Sequence, residues 1–113
     1  MNTKRIVLTT CGSKDEAQHI AHELVERHLA ACVNVVGPIE SVYTWKGEVE
    51  SAAEWMLLVK TTGEAFERVR DAIRELHSYE LPECVELTIE RGSSEYLNWI
   101  EENVNPESRI DKD

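Results

Sequence analysis

The chain has 113 residues, with 22 acidic side chains against 12 basic ones and a formal net charge of −10. Because phosphate backbones bind basic surfaces, this balance excludes a nucleic-acid partner and disfavours docking on anionic lipid. The length fits one domain, and no apolar run reaches the roughly 18 residues that would cross a membrane. Three cysteines do not make an even disulfide framework, so we expect free thiols and a cytoplasmic protein.

The first half of the chain predicts a strand, a helix and a second strand. Residues 5–11 form an apolar, β-rich run that is typical of a strand. Ser13 is a suitable helix N-cap, with Glu16 three residues later in the pattern of a capping box. Apolar residues then recur at helical spacing. The second strand is predicted from Ala31 to about Trp45, with a bulge where Gly37-Pro38 interrupts it.

The second half predicts a strand, a helix, another strand and a last helix. The third strand covers residues 48–61, and a second amphipathic helix follows Gly63. Apolar and polar side chains alternate over residues 85–90, as in a half-buried fourth strand. The order βαββαβ predicts an α+β, ferredoxin-like sandwich with both helices on one face of an antiparallel sheet. We expect one domain in residues 1–104 and a polar tail in residues 105–113.

Strands two and three together predict one very long β-hairpin. Its arms of about 14 residues would each extend about 46 Å, at about 3.3 Å per residue. A globular domain of this length is only about 34 Å across, so the hairpin must overhang it. Large apolar side chains on an overhang need a partner surface, and we therefore expect an oligomer. The side chains concerned are Val42, Tyr43, Trp45, Val49 and Trp55.

Six segments spread between Ile6 and Ile100 form a specific set when taken in order. They are Leu29-Ala30-Ala31-Cys32-Val33-Asn34, Tyr43 to Glu48, Lys60-Thr61-Thr62, His77 to Glu83, Gly92, and Tyr96 to Ile100. Together they resemble the CutA family, small proteins named for a link to divalent-cation tolerance. The resemblance implies a ferredoxin-like fold with an extra C-terminal helix, a homotrimer, and a metal-binding role in the response to copper or another divalent ion.

Two residues are candidate metal ligands. Cys11 ends the first strand, and His77 ends the second helix on its packed side. Thiolate and imidazole suit copper and zinc, and the resemblance implies a copper site at these two positions. One Cys and one His make an incomplete shell, which Glu80, Glu83 or a neighbouring subunit could complete. The alternatives are a small buried thiol and a His hydrogen-bonded to the loop that ends its helix.

A second group of residues suggests a different function. Lys60, Tyr79, Tyr43 and Trp45 could line a cleft between subunits and hold a small anion or metabolite. Trimeric ferredoxin-like proteins of the PII type sense metabolites in this way, so a regulatory module is the alternative to a metal-binding protein. Packing of aromatic side chains at an interface would explain the same residues. No nucleophile–base pair or phosphate-binding glycine loop is present, and we do not expect an enzyme.

Overall fold

The computed structural model describes residues 3–105, and the tail residues 106–113 lie outside the described part. In chain order the elements are β1 (Lys4–Cys11), α1 (Lys14–Glu26), β2 (Cys32–Trp45), β3 (Glu48–Thr62), a 3-10 turn (Gly63–Ala65), α2 (Phe66–Leu76), β4 (Val85–Thr88) and α3 (Ser94–Asn103). All the predicted strands and helices are present, although β4 ends two residues earlier than expected. None of the helices between residues 3 and 105 is both long and apolar enough to cross a bilayer.

The four strands form one antiparallel sheet in the order β2-β3-β1-β4. This confirms the ferredoxin-like α+β fold that the element order predicts. One face of the sheet packs against both α1 and α2, because alternate residues of each strand point to the same side. The fully buried side chains of this layer include Val7 and Cys11 of β1, Leu57 and Val59 of β3, Ile20 and Leu24 of α1, and Val69 and Ile73 of α2.

The start of α1 matches the sequence pattern only in part. The Ser13 hydroxyl accepts a hydrogen bond from the Glu16 backbone N–H at 3.1 Å, as an N-cap should. A full capping box would turn the Glu16 carboxylate back to Ser13. Instead, both carboxylate oxygens of Glu16 accept hydrogen bonds from Ser78, in the turn after α2. Glu16 therefore joins the two helices.

The long hairpin is formed as predicted. Residues pair from Cys32↔Lys60 at its base to Trp45↔Glu48 at its tip. The tip turn has positive φ angles at Lys46 (52°) and Gly47 (82°), which is the type I′ geometry whose twist suits a two-residue hairpin. The longest dimension of the described residues is 47 Å, against 30 and 23 Å for the others. The outer half of the hairpin is solvent-exposed in a single chain.

One residue assigned to the overhang behaves differently. Trp55 is half-buried and packs over the bulge at Gly37, where the β2–β3 register shifts between Val36 and Ile39. The contact is close: a Cβ added at Gly37 would lie 2.3 Å from Trp55 Cδ1. Trp55 also pairs with Cys11 across β1 and β3. It therefore marks the base of the overhang, and only the other four apolar residues lie farther out.

Within residues 3–105, the second face of the sheet is covered at one end only. At that end α3 approaches β1, where Glu101 forms an ion pair with Lys4 at 2.8 Å, and Ile100 is fully buried. Elsewhere three apolar side chains that share this face by strand pairing remain about half-exposed; they are Val36, Val85 and Leu87, at 47%, 45% and 48%. We call these three residues the open apolar face. Such a surface is typical of a contact between protein chains.

Candidate metal centre

Three potential metal ligands meet where β1 ends. Cys11 is the last residue of β1, Glu16 lies in the first turn of α1, and His77 is the C-cap of α2. Their sulfur, oxygen and nitrogen ligand atoms all lie within 4.8 Å of one another. The topology brings them together, because β1 and β3 are antiparallel and the end of α2 therefore returns to the start of α1. We call this group the Cys11–Glu16–His77 cluster.

Hydrogen bonds define the protonation of His77. Its Nε2 lies 2.7 Å from the Thr10 carbonyl oxygen, and its Nδ1 accepts the Tyr79 backbone N–H at 3.0 Å. A carbonyl oxygen can only accept, so Nε2 carries the proton and Nδ1 presents its lone pair. The ring is thus neutral, although Glu16 Oε2 lies only 4.0 Å from Nδ1. Metal-binding histidines are held in the same way, with the second ring nitrogen donating to a carbonyl.

Glu16 is the cluster residue that sequence reasoning missed. Its Oε2 accepts the Ser78 backbone N–H at 2.6 Å, and its Oε1 accepts the Ser78 hydroxyl at 3.1 Å. The side chain is partly buried, unlike most acidic residues of the chain. A signal was present, because Glu16 follows Cys11 by five residues at the start of a helix that must pack beside β1. The capping-box pattern already explains why an acidic residue occurs at this position, so the sequence alone does not single out Glu16 as a metal ligand.

The cluster is poor in solvent and rich in negative charge. Burial, together with the nearby carboxylates of Glu16 and Glu54, raises the pKa of the Cys11 thiol from 9.0 to about 12. Burial also raises the pKa of Tyr79 to about 12, together with its hydrogen bond to Glu54. That bond joins the Tyr79 hydroxyl to Glu54 Oε2 at 2.8 Å. Cys11 is therefore a thiol at neutral pH, and a metal ion that bound it would displace its proton.

The two acidic residues proposed to complete the metal shell lie outside the cluster. Glu80 and Glu83 are both exposed, in the loop between α2 and β4. Glu80 lines a cavity of about 450 Å³ together with Tyr79 and with Arg70 and Arg74 of α2. Within residues 3–105, the acid that stands with Cys11 and His77 is Glu16.

The residues proposed for a ligand cleft do not all meet in a single chain, although Tyr43 is near enough to Tyr79 to contribute to its raised pKa. Lys60 lies at the base of the hairpin and donates to the side chain of Asn34. Tyr43 and Trp45 lie on the outer half of the hairpin and are 41% and 43% exposed. Twelve residues of β3 separate Lys60 from the partner of Trp45, which is about 40 Å of extended chain. Only Tyr79 is close to the Cys11–Glu16–His77 cluster, so one chain does not assemble this cleft.

Known proteins resemble this chain over most of its length. The divalent-cation tolerance protein CutA of Thermus thermophilus is 47% identical over 100 residues, which cover 88% of this chain and 97% of that protein. The protein of the same name from Archaeoglobus fulgidus is 45% identical over 98 residues, or 87% and 95% of the two chains. Human protein CutA is 38% identical over 91 residues, which are 80% of this chain and 51% of that protein.

Solved structures agree with the sequence comparisons. The structure of the T. thermophilus divalent cation tolerance protein superposes with a TM-score of 0.89 over 90% of this chain and 99% of that one, at 46% identity. The structure of CutA1 from Oryza sativa gives the same TM-score at 33% identity, over 93% and 98% of the two chains. A family profile described as "CutA1 divalent ion tolerance protein" matches residues 5–103. The chain therefore belongs to the CutA1 family of divalent-ion tolerance proteins.

Proposed function

We propose that this protein binds a thiophilic metal ion, copper or another divalent ion such as zinc, at the Cys11–Glu16–His77 cluster. The observation that carries the proposal is the distance of at most 4.8 Å between the three ligand atoms. Sulfur, nitrogen and oxygen donors in this combination suit zinc and copper, and hard ions such as Mg²⁺ prefer oxygen donors alone. Three protein ligands leave one position for water or a fourth group, and the protein acts as a binding protein and not as an enzyme.

The hydrogen bonds around the cluster support this role. His77 is neutral, and its Nε2–H is fixed by the Thr10 carbonyl oxygen, which leaves the lone pair on Nδ1, 4.0 Å from Glu16 Oε2. Cys11 is fully buried, so its thiol is shielded from chance oxidation until a metal enters. The three cysteines are all free, which suits a reducing compartment, and we propose the cytoplasm.

A titration of the reduced protein tests the metal site. We expect saturable binding of one Cu(II) or Zn(II) per chain, measured by calorimetry, and its loss in a Cys11→Ser/His77→Ala variant. The matched control is Cys32→Ser/His22→Ala, which removes one Cys and one His outside the cluster and should bind as the wild type does. Circular dichroism would verify that both variants fold. Equal, weak binding in all three proteins would assign the cation effect to the acidic surface and refute the site.

We also propose that the protein assembles as a homotrimer through the open apolar face and the outer hairpin. The half-exposed Val36, Val85 and Leu87 and the more exposed hairpin residues Val42 and Val49 (66% and 78%) support an interface between chains. Sedimentation equilibrium should give about three times the 12.9 kDa of one chain.

A charged residue on the open apolar face tests the interface. Leu87→Lys should dissociate or weaken the assembly, because burying an unpaired ammonium group is costly. The control is Leu81→Lys on the loop after α2, where the side chain is 77% exposed and the substitution should change nothing. A trimer of unchanged stability in the Leu87→Lys variant would exclude the open apolar face from the interface.

A further inference from the structure

The turn formed by Ser78 and Tyr79 occupies the lone pairs that a metal ion would need. The Ser78 backbone N–H donates to Glu16 Oε2 at 2.6 Å, and the Ser78 hydroxyl donates to Glu16 Oε1 at 3.1 Å. The Tyr79 backbone N–H donates to His77 Nδ1 at 3.0 Å. Two of the three cluster residues are thus already engaged by this turn.

At His77 a metal ion and the Tyr79 backbone N–H compete for the same lone pair. A neutral imidazole has one lone pair, and here it lies on Nδ1, where the Tyr79 N–H already points at it. The other nitrogen, Nε2, uses its proton to bind the buried Thr10 carbonyl oxygen and cannot coordinate an ion without breaking that bond. Glu16 is less constrained, because a carboxylate has about four lone-pair positions. A metal ion bound through Nδ1 therefore excludes the Tyr79 N–H from its present position.

We infer that a metal ion bound at the Cys11–Glu16–His77 cluster displaces the Ser78–Tyr79 turn, so that the turn reports metal binding at the protein surface. This inference rests on the proposed function and adds a conformational change to it. The exchange is favourable when the free energy gained from the metal–ligand bonds exceeds the free energy lost with the hydrogen bonds of the turn. A ligand shifts a conformational equilibrium only by such a difference in free energy between the two states.

Displacement of the turn would reach beyond the cluster through Tyr79. Its ring packs on the His77 ring with centroids 4.7 Å apart, and its hydroxyl lies over Gly12 and donates to Glu54. Glu54 is 7% exposed, so moving Tyr79 leaves a buried carboxylate without this donor. Tyr79 also lines the cavity of about 450 Å³ beside α2. The metal-free and metal-bound proteins would therefore present different surfaces at this end of the sheet.

Amide hydrogen exchange tests the displacement directly. Zn(II) is the probe, because it is redox-inert and diamagnetic and allows NMR detection of single amides. We expect the Ser78 and Tyr79 amides to exchange about fivefold faster or more in the zinc-saturated protein, since both lose their acceptors. A ligand that simply rigidified its site would slow them. Unchanged or slower exchange of both amides, in a sample that calorimetry shows to be saturated, would overturn the inference and leave the metal site standing.

A variant that weakens the turn gives a second, independent readout. Ser78→Ala removes the hydroxyl contact to Glu16, so less must be broken before a metal can bind, and zinc affinity should rise about fivefold. A residue with a purely supporting role would lower the affinity or leave it unchanged. The control is Ser94→Ala at the start of α3, away from the cluster, which should bind zinc as the wild type does. Equal or weaker affinity in Ser78→Ala would overturn the competition, and absence of zinc binding in every protein would overturn the metal site as well.

Discussion

Tyr79→Phe removes a single hydroxyl group from the turn beside the metal cluster. In the metal-free protein that hydroxyl donates to Glu54 at 2.8 Å, and the Glu54 side chain is almost fully buried. The substitution keeps the ring that packs on His77, so it isolates the hydrogen bond from the packing. The variant leaves the buried Glu54 carboxylate without this donor. The loss of folding stability should therefore come from the unsatisfied carboxylate, because almost no apolar contact area is removed.

The expected loss of stability is about 2 kcal/mol. Hydrogen bonds to charged groups contribute about 1.5–3 kcal/mol, and an unsatisfied buried acceptor loses the same order of energy. With a urea dependence of about 1.5 kcal/mol per molar, the unfolding midpoint should fall by about 1 M. A Glu54→Gln/Tyr79→Phe pair should recover part of the loss, because a neutral amide is cheaper to leave unpaired, and the coupling should be about 1 kcal/mol or more.

The assay is urea unfolding in the presence of a chelator, with all proteins at one chain concentration because the assembly affects apparent stability. Tyr96→Phe is the matched control, since it removes the hydroxyl of an exposed tyrosine on α3. If Tyr79→Phe and Tyr96→Phe both lie within about 0.5 kcal/mol of the wild type, Tyr79 does not hold Glu54 in solution. The contact chain from the turn to Glu54 would then be refuted.

Three further predictions concern the bulge, the first helix and pH. Gly37→Ala should destabilise the fold by about 1–3 kcal/mol in urea unfolding, because the new methyl group would overlap Trp55, and a neutral result would mean that the indole can shift freely. Ser13→Ala should cost about 1 kcal/mol through loss of the N-cap of α1, measured in the same way, and no loss would show that the cap is dispensable. The folded protein holds the Cys11 proton more tightly than the unfolded chain does, because the pKa of the thiol is raised on folding. The stability that depends on the protonated thiol is therefore complete below pH 9 and is lost as the pH rises toward about 12. The free energy of unfolding, measured from pH 8 to 11, should fall more steeply in the wild type than in Cys11→Ser, by up to about 1.4 kcal/mol per pH unit. Parallel curves for the two proteins would contradict the raised pKa of Cys11.

Local patterns in the sequence were enough to predict the order of the elements. Turn residues, helical spacing and alternation act over a few residues, so they locate Ser13, the Gly37-Pro38 bulge and the hairpin tip before any tertiary contact is known. The position of Trp55 was less predictable. Its contact with Gly37 depends on how a bulge turns one arm of the hairpin against the other, and a period-two pattern carries no such information.

The site was predicted in part for the same reason. Cys11 and His77 each lie at the end of an element, and the family resemblance implies a metal-ligand role for both, which stays a prediction. The place of Glu16 in the cluster was not predicted, because its partner Ser78 is 62 residues away in the sequence. The local pattern around Glu16 was also already explained by a helix cap. Glu80 and Glu83 are close to His77 in sequence, but in the loop after α2 both are exposed to solvent.

The tip of the long hairpin is a place where this chain could be lengthened without disturbing the buried core. A Cβ placed on Gly47 would meet nothing within 4 Å, and the ladder beneath the tip is made between residues that are close in sequence. Lengthening a loop adds only about 0.6 kcal/mol of closure entropy for each doubling. A short peptide tag or a dye-binding sequence inserted between Lys46 and Gly47 would leave the core and the cluster untouched. The tip of the hairpin is thus a suitable attachment site for a label or a surface linker in single-molecule experiments.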